Sequence, residues 1–274
     1  MKRSQIAAQL YTVRDQCRTA AELAVSARKL KDIGYGAVQV SGVGPIPEAE
    51  IVAIMAGEGL TICATHEPGA TIVSDTQKVI DRLGALGCAY TAYPWPHVEL
   101  NSLAAAERLA ADLERAGAMM ARAQQVLTYH NHAVEFRKVG AGASARTVLE
   151  LLYARTSPRH LQGEIDTYWI QAGGGDPASW CTRLNGRLPL LHLKDLGVRE
   201  ANQATTMEIG QGNLDWPGII AAADRSGCRW FIVEQDTCPG DPFESLAISL
   251  RHLTGLAEGD DRSGAGATAN ARAS

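Results

Sequence analysis

Acidic and imidazole side chains follow several apolar runs in this sequence. Asp166, His192 and Glu234 each stand at or just after the end of such a run, and Glu135 lies a few residues beyond the run at 126–129. Three carboxylates and one neutral imidazole provide hard oxygen donors and one nitrogen, a set that suits Mn²⁺ or Mg²⁺ and tolerates Co²⁺ or Zn²⁺. We therefore predict one divalent metal ion, with Mn²⁺ the best match, held by Glu135, Asp166, His192 and Glu234.

Each of these residues taken alone has a simpler explanation. Asp166 could cap the next loop, and His192 could be a hydrogen-bonded histidine in the core. The set as a whole is harder to explain by packing, because converging carboxylates repel each other unless a cation lies between them. The metal site therefore remains the hypothesis to test.

The elements that would position these side chains alternate between strands and helices. Short runs rich in Val, Ile, Leu, Tyr and Thr predict eight strands, at 6–13, 37–40, 61–65, 89–93, 126–129, 162–165, 188–193 and 230–233. Helical spacing of apolar residues predicts helices at 20–33, 51–58, 79–86, 103–120, 147–154, 217–225 and 243–256, and Asp176 is expected to cap a short helix whose first residue is Pro177. The strands begin roughly 32 residues apart, the length of one βα unit, and eight units close a barrel. The fold class is thus an α/β protein, a single-domain (β/α)8 TIM barrel.

Length and composition agree with one large domain. The chain has 274 residues, of which 46% are hydrophobic, enough for a sizeable core. From residue 258 the sequence is small and polar, so we predict a catalytic barrel domain over 1–257 and a flexible tail over 258–274. No Gly-x-Gly-x-x-Gly motif follows the first strand, which disfavours a doubly wound nucleotide-binding sheet.

Charge and cysteine usage exclude several classes of protein. The net charge is −4 and no run of Lys or Arg occurs, which argues against a nucleic-acid partner. No apolar stretch resembles a signal peptide or a membrane span, so we expect a cytoplasmic protein that does not bind membranes. The six cysteines are far apart and lack Cys-x-x-Cys spacing, which is typical of reduced, buried thiols.

Several motifs are spread over nearly the whole predicted barrel. They include Tyr-His-Asn-His at 129–132 and His-Leu-Lys-Asp at 192–195, with further matching stretches at 9–15, 135–136, 165–169, 208–216 and 233–234. Together they resemble the sugar phosphate isomerase/epimerase family of xylose isomerase-like barrels. The resemblance implies the same four metal ligands, a small carbohydrate substrate and a homo-oligomer. The sequence departs from the family before the fifth strand, where the usual glycine is absent; this affects a helix boundary rather than the site.

The resemblance also implies a type of reaction. A hydrogen next to a carbonyl is removed only if the developing enediolate is stabilised, which a divalent cation does. In the resembling epimerases two ligating glutamates remove and return the proton; here they would be Glu135 and Glu234. Strand alternation also places His132 and Lys194 near the mouth, as catalytic candidates that could donate a proton or bind a hydroxyl. Lys194 could equally form a salt bridge with Asp195 or a ligand carboxylate.

Two more residues are candidates for substrate binding. His66 ends the third strand and either contacts the substrate or makes a structural hydrogen bond. Trp169 could form an apolar wall against a sugar ring, or it could simply pack.

Four functions fit these observations to different degrees. The first is an isomerase or epimerase of a keto-sugar, and the second is a dehydratase or lyase that acts on an inosose or a 3-keto-glycoside by the same enolisation. The third, a phosphodiesterase like endonuclease IV, is disfavoured because Trp169 stands where that pattern needs histidine and no Asp-x-His follows His192. The fourth is a sugar-binding barrel without catalysis, which dispersed ligand candidates would favour.

Overall fold

Eight short parallel strands form a closed barrel at the centre of the structure. The computed structural model describes the backbone of residues 1–269 and the side chains of residues 1–257. The barrel strands are β1 (Ile6–Gln9), β2 (Ala37–Val40), β3 (Thr61–His66), β4 (Tyr90–Tyr93), β5 (Val126–His130), β6 (Gln162–Asp166), β7 (Leu190–Leu193) and β8 (Trp230–Val233). Each strand pairs with the next one in the sequence, and β8 pairs with β1 to close the barrel. The predicted TIM barrel is confirmed.

Helices follow most of the strands and pack around the barrel. In the described part of the chain they are α1 (Ala20–Ile33), α2 (Glu48–Gly57), α3 (Gly69–Ser74), α4 (Thr76–Leu86), α5 (Leu103–Arg122), α6 (Val148–Arg155), α7 (Thr167–Ala172), α8 (Pro177–Arg183), α9 (Trp216–Arg225) and α10 (Pro242–Ala269). The sequence sets their ends locally. Thr19 caps α1 by accepting a hydrogen bond from the Glu22 N–H, and Gly34 ends it in the left-handed conformation with φ of 113°.

Some boundaries differ from the predictions. The first strand ends at Gln9 instead of residue 13, because the Gln9 side chain accepts a hydrogen bond from the Tyr11 N–H and the chain turns into a 3-10 helix at Leu10–Gln16. Helices α3 and α7 were not predicted. Helix α10 includes residues 258–269 of the predicted tail, and residues 270–274 lie outside the described residues, so the flexibility of the tail stays a prediction. Within the described residues, no helix is both long and apolar enough to cross a membrane.

The interior of the barrel changes from apolar to polar along the strands. A cluster of small and aliphatic buried side chains fills the lower part: Ala7, Ala37, Cys63, Ala64, Leu190 and Ile232. Because side chains on the same face of a strand recur every second residue, the next interior positions are polar. They are Gln9, Gln39, His192 and Glu234, all at most 4% exposed. The fold therefore gathers polar groups at the carboxyl ends of the strands, where barrel active sites lie.

Asp195, which follows β7, organises the long loop before α9. Its fully buried carboxylate accepts hydrogen bonds from the N–H groups of Gly210 and Gly212 at 2.8 and 3.1 Å and from the Trp216 indole at 2.8 Å. It also accepts from the N–H of Leu196 at 2.8 Å. One carboxylate thus holds a segment that would otherwise present several unpaired donors.

We expect Asp195→Ala to lower the free energy of unfolding by about 3 kcal/mol or more, because these donors lose a charged acceptor at once. Urea unfolding followed by circular dichroism measures the change. Asp195→Asn, which keeps one acceptor oxygen, should cost less than Asp195→Ala. A loss below about 1 kcal/mol in Asp195→Ala would contradict this role.

Candidate active site

Four side chains meet at the mouth of the barrel, at the ends of neighbouring strands. Asp166 ends β6 and pairs in register with His192 on β7, and Glu234 follows β8. One donor atom from each, together with one from His130 at the end of β5, lie within 4.8 Å of one another. All four side chains are buried. The group offers two carboxylates and two imidazoles, which could hold a metal ion.

The structure brings three of the four predicted metal ligands together but leaves Glu135 outside. Glu135 belongs to neither of the candidate metal-binding groups in the described part of the chain. It lies on a 3-10 turn, Ala133–Phe136, and its carboxylate accepts hydrogen bonds from the Tyr129 hydroxyl at 2.9 Å and the His132 N–H at 2.7 Å. The turn engages Glu135 with its own segment. The end of β5 places His130 beside the other three residues.

The buried Glu135 leads to a prediction about stability and pH. Burial raises the pKa of Glu135 to about 7, although hydrogen bonds from His132 and Tyr129 lower it. Because the pKa is higher in the folded state, the protonated Glu135 contributes its whole share of the free energy of unfolding below the unfolded pKa near 4.5. This contribution is lost as the pH rises towards 7. Glu135→Gln carries no charge there. We expect its free energy of unfolding, relative to that of the wild-type protein, to rise by up to about 3 kcal/mol between pH 4.5 and pH 8.

Urea unfolding of both proteins across this pH range tests the prediction. Parallel pH profiles would show that the Glu135 carboxylate does not titrate as described. The same variant also tests the ligand role inferred from the sequence, because loss of a ligand would weaken metal binding.

A lysine ammonium lies among the carboxylates of the site. Lys194 Nζ is 2.7 Å from Glu234 Oε2, 3.1 Å from Asp166 Oδ2 and 3.0 Å from Asp236 Oδ2. Burial lowers the pKa of Lys194, but the three carboxylates raise it more, so the side chain stays charged. Burial likewise raises the pKa of Glu234, yet Lys194 and His192 bring it well below the ordinary value. The site therefore selects for positive charge.

The polar atoms at the site fit a divalent cation. Asp166 Oδ1 accepts the N–H of Trp169 at 2.9 Å and so caps α7, as the simpler explanation of this residue foresaw. Its other oxygen, Oδ2, is buried and makes no well-directed hydrogen bond in the described structure, although Lys194 Nζ lies nearby. Two carboxylates balance a charge of +2, and two imidazoles favour Mn²⁺, Co²⁺ or Zn²⁺ over Mg²⁺.

A cavity of about 490 Å³ opens above this cluster, within the range of small-molecule sites. All the predicted catalytic and substrate-binding residues except Glu135 line it: His66, His132, Trp169, Lys194 and Glu234. Burial lowers the pKa of His132 to about 2, so its ring is neutral. Its Nδ1 and the indole Nε1 of Trp169 are buried without a hydrogen-bond partner among the described residues. Both can therefore bind a polar group of a ligand.

A second polar layer lies beneath the first, and the sequence predictions missed it. It contains His66, His130, Glu164 and His192, whose donor atoms also lie within 4.8 Å of one another. A signal for Glu164 was present, since it stands two positions before Asp166 and must face the same side of β6. His130 was counted within a strand motif and not as a ligand.

The closed barrel and its cluster of carboxylates and imidazoles at the carboxyl ends of the strands form the arrangement of a barrel enzyme site. Residues 27–254 match the Xylose isomerase-like TIM barrel family, and the chain belongs to this family.

Two relatives are named inosose dehydratase. The one from Lacticaseibacillus casei is 28% identical over 164 residues, which cover 54% of this chain and 53% of the relative. The one from Geobacillus thermodenitrificans is 26% identical over 158 residues, which cover 52% of this chain and 51% of the relative. The chain thus spans about half the length of the curated relatives that it matches.

Solved structures share the fold. A sugar phosphate isomerase/epimerase from Parabacteroides distasonis superimposes with a TM-score of 0.78 at 21% identity, covering 92% of this chain and 93% of the other. An L-ribulose 3-epimerase superimposes with a TM-score of 0.71 at 15% identity, covering 98% of each chain. At these identities the likeness supports the barrel and its topology.

Proposed function

We propose that this chain is a divalent-metal-dependent enzyme that enolises a keto-sugar or keto-cyclitol and then eliminates a β-hydroxyl group, as a dehydratase does. The observation that supports elimination most directly is the pairing of Glu234 Oε2 with Lys194 Nζ at 2.7 Å inside the cavity. A carboxylate base and an ammonium acid side by side are the two groups that this reaction needs.

The metal would be held by the four residues of the upper cluster: His130, Asp166, His192 and Glu234. When bound, a divalent cation supplies Lewis-acid stabilisation of the oxygen that becomes negative on enolisation. Mn²⁺ is our first choice, and Co²⁺ or Zn²⁺ also suit the mixed donors.

The chain's own residues account for the proton transfers. Glu234 takes the proton from the carbon next to the ketone, and the electrons of the broken C–H bond form the enolate. Lys194 then gives a proton to the β-hydroxyl as the C–O bond breaks, so that water leaves and the enolate electrons form the new double bond. Because the two groups are adjacent, the proton and the hydroxyl leave from the same face of the substrate.

Neighbouring residues orient the substrate. The unpartnered Trp169 Nε1 and His132 Nδ1 can bind substrate hydroxyl groups, and His66 lies at the cavity wall. The rings of Trp95 and His132 are 4.6 Å apart and give this side of the cavity an apolar face. A sugar or cyclitol presents such a combination of hydroxyl groups and apolar C–H faces.

The second candidate is the isomerase or epimerase that the sequence favoured first. The position of His132 on the cavity wall supports it, since this reaction needs a second group beside the reacting carbon to return the proton. The scheme with two glutamates is less favoured, because Glu135 is held by Tyr129 and by its own turn.

Metal removal combined with deuterium exchange tests the proposal. The purified protein is treated with EDTA, reloaded with Mn²⁺ and incubated with an inosose in D2O, and the reaction is followed by NMR. We expect the α-hydrogen signal to disappear and an unsaturated product to form only in the reloaded protein. Exchange with inverted configuration and no loss of water would support the second candidate. No exchange with any restored metal, or full exchange in the EDTA-treated protein, would contradict the metal-dependent enolisation.

A further inference from the structure

The second polar layer indicates which ring nitrogen of His192 faces the proposed metal site. We propose that Glu164 is a positioning residue that keeps a proton on Nε2 of His192 and thereby leaves Nδ1 to face the metal. This inference rests on the proposed metal site, but its central statement concerns a proton position that can be measured without catalysis.

Glu164 lies in the interior of the barrel and is fully buried. Its Oε1 is 2.6 Å from His66 Nε2, 3.1 Å from His192 Nε2 and 3.3 Å from His130 Nδ1. A carboxylate can only accept hydrogen bonds. Each nitrogen that bonds to it must therefore carry a hydrogen.

Gln39 connects Glu164 to His192 through a second set of hydrogen bonds. The Gln39 amide contacts Glu164 Oε2 at 2.8 Å, and the atom that does so must be its NH2 group, since the carboxylate cannot donate. The Gln39 oxygen is then an acceptor. It receives the Gln9 amide at 2.8 Å and contacts His192 Nε2 at 2.6 Å. Nε2 of His192 thus faces two acceptors and must be a donor.

The other nitrogen of His192 points to the candidate metal site. His192 Nδ1 lies 3.1 Å from Oε2 of Glu234, a member of the upper cluster. Without a metal Nδ1 donates to this carboxylate, so both ring nitrogens carry a hydrogen. A cation that binds Glu234 would displace the hydrogen of Nδ1, because Nε2 stays between the oxygens of Glu164 and Gln39. A metal-bound histidine whose other N–H donates to a buried carboxylate binds the metal in a fixed orientation and with increased basicity.

The same carboxylate lies near His130 but does not fix its hydrogen. Nδ1 of His130 is 3.3 Å from Glu164 Oε1 without a hydrogen bond, and its Nε2 lies 3.8 Å from Asp166 Oδ2 on the side of the upper cluster. The proposed choice of ligand nitrogen therefore applies to His192 alone. Glu164 acts through this ligand and does not itself bind the metal.

Histidine-labelled protein provides the test. The chain has seven histidines, and their ring nitrogens are resolved by long-range ¹H–¹⁵N NMR. The His192 signals are assigned by their loss in His192→Asn. We expect Nε2 of His192 to carry a proton in the wild-type protein, both metal-free and loaded with Zn²⁺, and Nδ1 to be the nitrogen that binds Zn²⁺.

Two variants separate Glu164 from Gln39. In Glu164→Gln the new amide can donate, Gln39 can rotate, and we expect the fixed Nε2 proton to be lost and the Kd for Zn²⁺ to rise by about 10- to 100-fold. In Gln39→Met the carboxylate still faces His192 directly, so Nε2 should keep its proton. Glu114→Gln is the matched control, because Glu114 also contacts a histidine at 2.6 Å, His160, but lies outside the site. It should leave both readouts unchanged.

Zn²⁺ bound to Nε2 of His192 in the wild-type protein would overturn the proposal, and this measurement decides even if Glu164→Gln does not fold. An unchanged Nε2 proton and unchanged Kd in Glu164→Gln would also overturn it. If the wild-type protein binds no Zn²⁺ but His192 keeps its Nε2 proton, the proposed metal-dependent function fails while the role of Glu164 is supported.

Discussion

Replacing Glu234 with glutamine should reduce both α-hydrogen exchange and loss of water by a factor on the order of 10³ or more, since it removes the base that starts the reaction. Lys194 and His192 hold the pKa of Glu234 well below the usual range, although burial opposes this. The side chain is therefore ionised at neutral pH and faces the cavity.

Glu234 also belongs to the candidate metal cluster, so metal content must be measured with the rate. At Mn²⁺ concentrations that saturate the variant, a deficit in exchange reports the missing base and not the missing metal. Glu208→Gln is a suitable control. Glu208 is also a buried carboxylate and accepts a hydrogen bond from the Ser245 hydroxyl at 2.6 Å, but it is in neither polar cluster of the described residues. Wild-type exchange in Glu234→Gln at saturating metal would remove this residue from its proposed role.

Replacing Lys194 with methionine should separate the two halves of the reaction. Exchange of the α-hydrogen needs the base and the metal, so we expect it to fall by no more than about tenfold, whereas loss of water should fall by about 10²- to 10⁴-fold without the acid. Substrate recovered from D2O would then contain deuterium although little product has formed. Methionine keeps the length and apolar stem of the lysine, which limits changes in packing.

The same variant should bind the divalent metal more tightly, because the ammonium that competes for Asp166 and Glu234 is gone. Titration with Co²⁺, followed by visible absorption, measures this. Lys194→Arg keeps the charge and serves as the comparison. Equal losses of exchange and elimination in Lys194→Met would show that the lysine is needed for enolisation itself and would contradict its assignment as the acid of the second step.

The barrel could be predicted from the sequence because its signals are local and repeated. Eight apolar runs alternate with helical segments, and capping residues such as Thr19 and Gly34 mark the helix ends. Helices α3 and α7 have six residues each, too few for a clear apolar period, and were missed. The end of β1 was missed because a side-chain contact of Gln9, and not a change in hydrophobicity, turns the chain.

The candidate site could be predicted in part for a related reason. Asp166 ends a strand, His192 stands one residue before the end of a strand, and Glu234 directly follows one, so parallel topology alone brings them to one mouth. Glu135 lies five residues beyond a strand, and whether such a residue reaches the mouth depends on the turn between them. Here that turn directs it to Tyr129. The choice of His130, and the change of preference from epimerisation to elimination, depend on this three-dimensional detail. The expected homo-oligomer stays a prediction.

The lysine ammonium among the carboxylates has a consequence for how the proposed metal would bind. Lys194 is an internal counter-ion: it neutralises part of the acidic charge before any ion arrives. Folding would therefore not depend on the proposed metal, unlike that of small domains whose folding free energy comes from the ion. Loading would be a reversible exchange between a tethered cation and a free one, and the bound ion would depend on which metals the surroundings supply.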